Sequence, residues 1–506
     1  MMKLLRWVCT STITASLLGC TLFAAPGSTD NTAKEEHNDI GVGKETASTH
    51  TQNPDAQWYP DAGFGLFIHW GIASVKAINI SWPMIPGRAL AKKRIIDPAE
   101  RARIIRESDY NLDGKPNSIT PNEYWEMAKD FNPQHYDPDK WIKAAKAAGF
   151  QYAVLTTRHH EGFALWPSDY GHFNTKNYMG GRDLVKPYVE ACRKYGMKVG
   201  LYYSPPNWHF EKDFKNFMYG GAAKKNPEFP ALDADLKPRT TKPSPEALAK
   251  MQKAYNEMVR GQVIELLTHY GKIDLLWFDG KPPTPNGANC ITLEEIRKLQ
   301  PGIVVNPRLW GHGDFITYER TLGTDKPVHG WAEFCNTWTA YWPYVANAPF
   351  RAPGFVLGQF VQCRSLGVNY LLGVGPTKDG EFVDDIYKNM AIVADWLKQN
   401  GVAVKGTKPL PPDESASVPA VTSGSTRYLF VSPSFKPGGS YQADLLPPAD
   451  ETLTLRGVDK PKNVKLLRDG SPLTYSYTDN IVTIQFPASR RTELVDVVEV
   501  ALAHHR

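Results

Sequence analysis

Residues 272–280 read KIDLLWFDG, a stretch in which four apolar residues, 275–278, are followed directly by Asp279. An uninterrupted apolar run of this length predicts a strand that is covered on both faces, as in a parallel sheet flanked by helices. Five further stretches show the same pattern: GFGLFIHW (63–70), FQYAVLTT (150–157), MKVGLYYS (197–204), GIVVN (302–306) and NYLLGVG (369–375).

Helical patterns separate these strands. The stretches 137–149 and 182–196 begin with acidic or capping residues and end at a glycine, and a predicted strand follows each of them directly. Repeated strand–helix units predict an α/β fold with a (β/α)8-type barrel over residues 55–402. A doubly wound sheet is the alternative, although no glycine-rich phosphate-binding turn follows any of the strands.

The composition of the chain changes near residue 400. Residues 405–425 are rich in proline and serine and predict a linker or a domain boundary. The short alternating runs after this segment, bounded by turn residues, predict a small antiparallel β-sandwich. We therefore assign residues 403–506 to a separate C-terminal domain.

The N-terminus has the layout of an export signal. Residues 1–25 place two basic residues ahead of an apolar stretch, as in a secretory signal peptide. The sequence LLGC at 17–20 resembles a bacterial lipobox, in which Cys20 would carry the lipid, and ordinary cleavage near Ala25 is the alternative. Residues 26–54 are rich in small and polar residues and predict a flexible tether. We expect a bacterial protein that is secreted or held in the cell envelope, with no membrane contact beyond this anchor.

The net charge and the cysteine spacing indicate neither a nucleic-acid partner nor a zinc site. A net charge of +5 over 506 residues is too small to predict a nucleic-acid partner. The four cysteines beyond the N-terminal segment are widely spaced and form no CxxC pair, so a zinc site is not expected. An oxidising compartment would permit a disulfide among them, but buried free thiols are the simpler interpretation.

Polar side chains follow the predicted strands at the ends where a parallel barrel forms its active-site rim. These residues are His69, His159, His160, Tyr202, Asp279 and Arg308. Adjacent histidines in a regular strand point to opposite faces, so His159 and His160 cannot easily share one metal ion. We therefore expect no metal and interpret the histidines as hydrogen-bond partners of sugar hydroxyl groups. Cleavage of a glycosidic bond would also require two carboxyl groups.

Several blocks, taken in order, resemble one known family. They are GFGLFIHWG (63–71), LTTRHHEGFALWPS (155–168), RDLV (182–185), GLYYS (200–204), DLLWFDG (274–280), GDFITYE (313–319) and NYLLGVGPTKDG (369–380). Together they are similar to the family-29 glycoside hydrolases, which are retaining exo-α-L-fucosidases. The resemblance implies a catalytic barrel followed by a β-sandwich, no cofactor, and hydrolysis of terminal α-L-fucosyl residues of glycans by double displacement.

The resemblance also implies roles for individual residues. Asp279 matches the nucleophile, and Glu319 matches the acid/base at a position that varies within the family, with Glu333 as the alternative. Matches to the sugar-binding residues are His69, Trp82, His159, His160, Tyr202, Trp277 and Arg308. The partner implied is a fucosylated oligosaccharide, and nothing indicates an oligomeric state.

This sequence departs from the family pattern at three places. Ser81 stands before Trp82 where family members often carry a glutamate that contacts sugar hydroxyls. Glu161 replaces the usual aspartate after the two histidines, and Gly373 replaces an asparagine. The loss of a hydroxyl-binding carboxylate leaves the exact sugar open, so an α-L-galactosidase of the same family is an alternative. A non-catalytic surface carbohydrate-binding protein is the alternative from another class.

Overall fold

The computed structural model describes most of the chain beyond residue 49. The described residues are 37, 50–87, 90, 95, 97–107, 119–240, 242–281, 290–308, 311, 313–322 and 330–503. The predicted signal peptide, Cys20 and the predicted tether except for residues 37 and 50–54 lie outside them. Among the helices within these ranges, none is both long enough and apolar enough to cross a membrane.

Eight parallel strands form one curved sheet in the order β5-β4-β3-β2-β1-β8-β7-β6. They are β1 (Phe64–Ile68), β2 (Tyr152–Arg158), β3 (Lys198–Tyr203), β4 (Leu275–Phe278), β5 (Val304–Val305), β6 (Phe315–Glu319), β7 (Trp331–Thr337) and β8 (Asn369–Val374). Because β1 pairs with both β2 and β8, the sheet closes on itself except between β5 and β6, where the described residues show no strand pairing. The result is a near-barrel with one open seam.

Ten α-helices are described, most of them around this sheet. They are α1 (Pro98–Glu107), α2 (Pro121–Glu126), α3 (Pro138–Ala147), α4 (Thr175–Tyr178), α5 (Val185–Lys194), α6 (Gly220–Lys225), α7 (Pro245–Thr268), α8 (Leu293–Leu299), α9 (Pro353–Leu366) and α10 (Asp384–Asn400). The described residues contain no helix between β5 and β6 or between β6 and β7. The barrel is therefore irregular on the side of its open seam.

Helix α3 illustrates how the local sequence sets these units. The side chain of Asp137 caps its first turn by accepting a hydrogen bond from the backbone N–H of Asp139. Its buried face, which includes Trp141, packs in the barrel core, and the helix ends two residues before Gly149. Gly149 has a φ of 84°, which turns the chain back into β2 at little steric cost.

Two antiparallel sheets follow the barrel. Their strands are β9 (Lys408–Pro409), β10 (Ser415–Ala416), β11 (Ala420–Ser423), β12 (Thr426–Val431), β13 (Glu451–Arg456), β14 (Pro461–Leu466), β15 (Tyr475–Thr478), β16 (Ile481–Phe486) and β17 (Asp496–Leu502). The sheets have the orders β14-β17-β12-β11-β9 and β10-β13-β16-β15. Three of these strands fall within 405–425, so the segment that reads as a linker is part of the β domain.

Alternation along β12 explains how this domain attaches to the barrel. Tyr428 and Phe430 belong to the core that the barrel shares, whereas Leu429 and Val431 face the sandwich interior. The five-stranded sheet is therefore covered on both faces.

The four cysteines Cys192, Cys290, Cys335 and Cys363 are free and buried, as the simpler interpretation of the sequence predicts.

Candidate active site

A pocket of about 370 Å³ opens at the carboxyl ends of the barrel strands. Its lining consists of His37, Phe67, His69, Trp82, His159, His160, Tyr202, Trp277, Asp279, Arg308, Glu319 and Trp342. Every site residue named from the sequence is in this set except Glu333. His37, Phe67 and Trp342 are the lining residues that the sequence analysis did not identify.

Asp279 is the residue directly after β4, and its carboxylate has a donor at each oxygen. The hydroxyl of Tyr202 donates to Oδ2 over 2.8 Å, and Nη1 of Arg308 donates to Oδ1 over 3.1 Å. Nε2 of His160 lies 3.6 Å from Oδ2. A hydroxyl donor and a guanidinium suit an ionised carboxylate, which can act as a nucleophile.

Arg308 links the two carboxylates of the pocket. While Nη1 holds Asp279, Nη2 donates to Oε2 of Glu319 over 2.7 Å, and the side chain is almost fully buried. The guanidinium also lies over the ring of Trp277, 4.6 Å from its centroid. One guanidinium therefore holds the carboxyl groups of Asp279 and Glu319 in the same pocket, and cleavage of a glycosidic bond needs two such groups flanking the bond that breaks.

The loop that carries Arg308 is fixed by Asn306. Its side-chain oxygen accepts a hydrogen bond from the backbone N–H of Phe278 over 2.7 Å, and its side-chain nitrogen donates to the carbonyl of Phe278 over 2.8 Å. These two bonds replace strand pairing where β5 ends after only two residues. Asn306 thus joins the loop before Arg308 to the strand before Asp279.

Glu319 is the last residue of β6, at the rim. Burial raises the pKa of its carboxyl, but Arg308 and His37 outweigh burial and hold the pKa well below its ordinary value. Nε2 of His37 lies 2.8 Å from the same oxygen that Arg308 binds. The ligand-free pocket therefore holds Glu319 as a carboxylate.

Glu333 lies in the barrel interior, paired in register with Asn369, the first residue of β8. Its carboxyl accepts hydrogen bonds from the hydroxyls of Tyr152 and Tyr59 and from Nε1 of Trp277. Burial raises its pKa to about 7, although these three donors act in the opposite direction. A raised pKa suits a proton donor, but Glu333 does not line the pocket and its oxygens are already occupied. Geometry therefore favours Glu319 as the second carboxyl group of the site.

The expectation that His159 and His160 point to opposite faces is wrong. Strand β2 ends at Arg158, so both histidines lie in the following turn, where strand alternation no longer applies. Their ring centroids are 4.0 Å apart, and both rings line the pocket. Strand alternation does hold for the neighbouring tyrosines, because Tyr202 lines the pocket and the Tyr203 hydroxyl donates to Gln262 on α7.

Burial keeps the imidazoles of His69 and His160 uncharged. It is the largest influence on His69 and His160, and it holds the pKa of each well below the ordinary value. Nδ1 of His69 is buried and has no hydrogen-bond partner among the described residues. His69 also stacks on Trp342, with centroids 4.9 Å apart.

His159, His160 and Asp279 form the one group among the described residues with a spacing that could hold a metal ion, and we call it the His–His–Asp cluster. Their potential ligand atoms lie within 4.8 Å of one another. Asp279, however, already binds the guanidinium of Arg308, and that positive charge opposes a second cation at the same carboxylate. The donor set therefore fits a metal poorly.

Comparisons with known proteins agree on one family. A family model described as Alpha-L-fucosidase matches residues 31–402. Tissue alpha-L-fucosidase of Homo sapiens is 30% identical to this chain over 376 residues, which cover 70% of each sequence. The human enzyme and the two solved structures described next are similar to this chain along most of its length.

Two solved structures show the same architecture. Alpha-L-fucosidase isoenzyme 1 from Paenibacillus thiaminolyticus is 27% identical, with a TM-score of 0.66 over 89% of this chain and 99% of that one. An alpha-L-fucosidase of glycoside hydrolase family 29 from Bacteroides thetaiotaomicron, solved as a trapped covalent intermediate with 2-fluoro-fucosyl fluoride, is 21% identical. It has a TM-score of 0.65 over 91% of this chain and 98% of that one. The fold class expected from the sequence, a barrel followed by a β domain, is confirmed.

Proposed function

The chain belongs to the alpha-L-fucosidase family, and we propose that it hydrolyses terminal α-L-fucosyl residues of glycans with retention of configuration. One observation carries the assignment of roles: Arg308 binds one oxygen of Asp279 and one oxygen of Glu319 within a single pocket. A double displacement requires two carboxyl groups within one pocket, a nucleophile and an acid/base that flank the bond that breaks.

In the first step, an oxygen of Asp279 attacks the anomeric carbon while the bond from that carbon to the leaving oxygen breaks. Glu319 gives its proton to the leaving oxygen, and the sugar becomes an ester of Asp279. In the second step, Glu319 takes a proton from water as the water oxygen attacks the same carbon. The ester bond breaks, Asp279 is released as a carboxylate, and the sugar leaves with its original configuration.

The charge on Arg308 suits the second step in particular. Once Asp279 is an ester it is neutral, so the charge of Arg308 then stabilises the carboxylate of Glu319, which must accept the proton of water. The first step needs the protonated form of Glu319. A bound substrate must therefore raise the pKa of Glu319, and replacement of the His37 contact by the leaving group would do so because His37 lowers that pKa.

The polarity of the pocket lining supports a sugar as the occupant. Neutral imidazoles such as His69 and His160 can accept hydrogen bonds from sugar hydroxyls, and Trp277 and Trp342 contribute apolar surface to the lining.

Turnover of aryl α-L-fucoside by wild type and by Asp279→Ala tests this proposal. Wild type should hydrolyse the fucoside faster than the aryl α-L-galactoside, and the variant should lose nearly all activity. Asp274→Asn is the matched control, because Asp274 lies at the opposite end of the same strand and binds Lys198 and the backbone of Val199. It should change stability without abolishing turnover. Preference for the galactoside would indicate the alternative sugar, and binding without turnover would indicate a carbohydrate-binding protein.

We also propose that the protein is exported, on the basis of the signal-like residues 1–25. The mass of the mature N-terminal peptide tests this. A lipid-modified Cys20 would identify an envelope lipoprotein, a start near Pro26 would identify ordinary cleavage, and an intact Met1 would contradict export.

A further inference from the structure

Ser81 connects a buried carboxylate to one of the pocket histidines. Its hydroxyl oxygen bonds Oε2 of Glu161, lies 2.7 Å from Nδ1 of His159, and accepts the backbone N–H of Glu161 over 2.9 Å. All three residues are buried, Ser81 and Glu161 almost completely. Of the three, His159 is the one that lines the pocket.

The number of protons on the Ser81 hydroxyl determines the direction of each bond. A hydroxyl has one proton and two lone pairs, and the backbone N–H of Glu161 uses one lone pair. An ionised carboxylate can only accept, so the single proton of Ser81 goes to Glu161. The remaining lone pair of Ser81 must then accept a proton that His159 donates from Nδ1.

This arrangement fixes the tautomer of His159. With Nδ1 as the donor to Ser81, the neutral form of the ring has its lone pair at Nε2, the ring nitrogen that is left for the pocket. A carboxylate acting through a hydroxyl also makes the imidazole a better acceptor, as outer-shell carboxylates do for metal-bound histidines. Nε2 can therefore accept a hydrogen bond from a sugar hydroxyl.

The backbone at Ser81 supports a role beyond packing. Ser81 has a φ of 56°, a conformation that costs free energy for any residue except glycine, and its N–H is held by the hydroxyl of Tyr124 on α2. A second anchor on α2 is Trp125, whose Nε1 donates to the carbonyl of Glu161. The fold thus holds a strained residue where its hydroxyl joins Glu161 to His159.

We propose that Ser81 and Glu161 are positioning residues that make Nε2 of His159 an obligatory hydrogen-bond acceptor for one hydroxyl of the bound sugar. This inference rests on the proposed function, because the hydroxyl belongs to the terminal sugar. It also predicts specificity: a sugar that is deoxygenated or O-acylated at that position has no proton to donate and binds poorly. Glu161 therefore acts on the bound sugar through Ser81 and His159 and not by direct contact, because Glu161 does not line the pocket.

Ser81→Gly is the decisive variant, because glycine accepts the positive φ and removes the hydroxyl together with the Cβ that carries it. Its kcat/KM is compared with that of wild type on aryl α-L-fucoside and on the 2-, 3- and 4-deoxy analogues. On the parent fucoside we expect a loss of roughly 10- to 100-fold, the range found for outer-shell partners of histidine ligands. On the analogue that lacks the hydroxyl facing His159, the loss should be less than about 3-fold, and Glu161→Gln should show the same pattern.

Ser168→Ala is the matched control. Ser168 is a buried serine that donates to Glu265 over 2.6 Å, and neither residue lines the pocket. This variant should leave kcat/KM unchanged on all four substrates. Equal losses for Ser81→Gly on every substrate, or no loss on the parent fucoside, would overturn the inference.

The proposed function can fail separately from this inference. Absence of wild-type turnover would refute the function, and the same comparison would then use the Kd values of L-fucose and its three deoxy analogues. A loss of affinity for one deoxy analogue that disappears in Ser81→Gly would support the inference. A loss of affinity that persists in this variant for all three analogues would refute it.

Discussion

Replacement of Glu333 by glutamine separates the two candidate acids and tests the interior of the barrel at the same time. Glutamine preserves the size of the side chain and an acceptor oxygen for Tyr152 or Trp277, but it cannot ionise. Because Glu333 does not line the pocket, we expect the variant to retain turnover within about 10-fold of wild type, whereas Glu319→Gln should lose far more on a substrate with a poor leaving group.

The effect on stability follows from the pKa of Glu333. Burial raises this pKa from 4.5 to about 7, so the folded protein holds a proton that the unfolded chain releases between these values. The stabilisation that protonated Glu333 provides is complete below pH 4.5 and is lost as the pH rises through 7. With about 1.4 kcal/mol for each pKa unit, wild type should lose about 2–3 kcal/mol of unfolding free energy between pH 5 and pH 8 from this group.

Urea denaturation of wild type and Glu333→Gln at pH 5 and pH 8 measures this difference. Other groups titrate equally in both proteins, so the unfolding free energy of the variant relative to wild type should rise by about 2–3 kcal/mol between the two pH values. A relative stability that does not change with pH would show that Glu333 is not protonated by burial. If turnover instead fell by about three orders of magnitude or more, Glu333 would take part in the chemistry.

Three further outcomes follow from the site. Glu319→Ala should lower kcat/KM far more on a fucosyl disaccharide than on an aryl fucoside with a good leaving group. Azide should restore the turnover of the aryl fucoside by this variant and give fucosyl azide as the product. Equal losses on both substrates would contradict the acid role. His37→Ala should move the alkaline limb of the pH profile of kcat/KM on the disaccharide to higher pH, because His37 lowers the pKa of Glu319. An alkaline limb at the wild-type pH would show that the contact between His37 and Glu319 has no effect in solution. Dialysis against a chelator should leave activity unchanged, since the His–His–Asp cluster fits a metal poorly, and a loss that Zn²⁺ restores would contradict this.

The barrel was predictable where its strands contain an uninterrupted apolar run. β2, β4 and β8 are buried at every residue and contain such runs at 152–155, 275–278 and 370–374. β6 and β7 were not predicted as strands. β6 is partly exposed and mixes apolar with polar residues, and β7 contains the buried polar side chains of Glu333 and Asn336. Periodicity cannot show that a polar residue is buried, because its partners come from distant parts of the chain.

The site was predictable from residues at strand ends and from the family resemblance. Phe67 carried a signal as well, because it precedes His69 by two residues and so shares its face of the sheet. The contact of His37 with Glu319 joins residues 282 positions apart, and no local pattern in a polar segment indicates it. The role of Glu161 was equally hidden, since only the turn after β2 brings its carboxylate to Ser81.

Identification of the residue that forms the covalent intermediate tests the proposed mechanism most directly. Wild type is incubated with 2-fluoro-fucosyl fluoride, digested at low pH, and its peptides are analysed by mass spectrometry. A 2-fluorofucosyl ester on Asp279, absent from Asp279→Ala, is the predicted result, because Asp279 is the pocket carboxylate placed directly after β4. A label on Glu319 or Glu333 would contradict the assignment, and an inverted product without any labelled peptide would contradict double displacement.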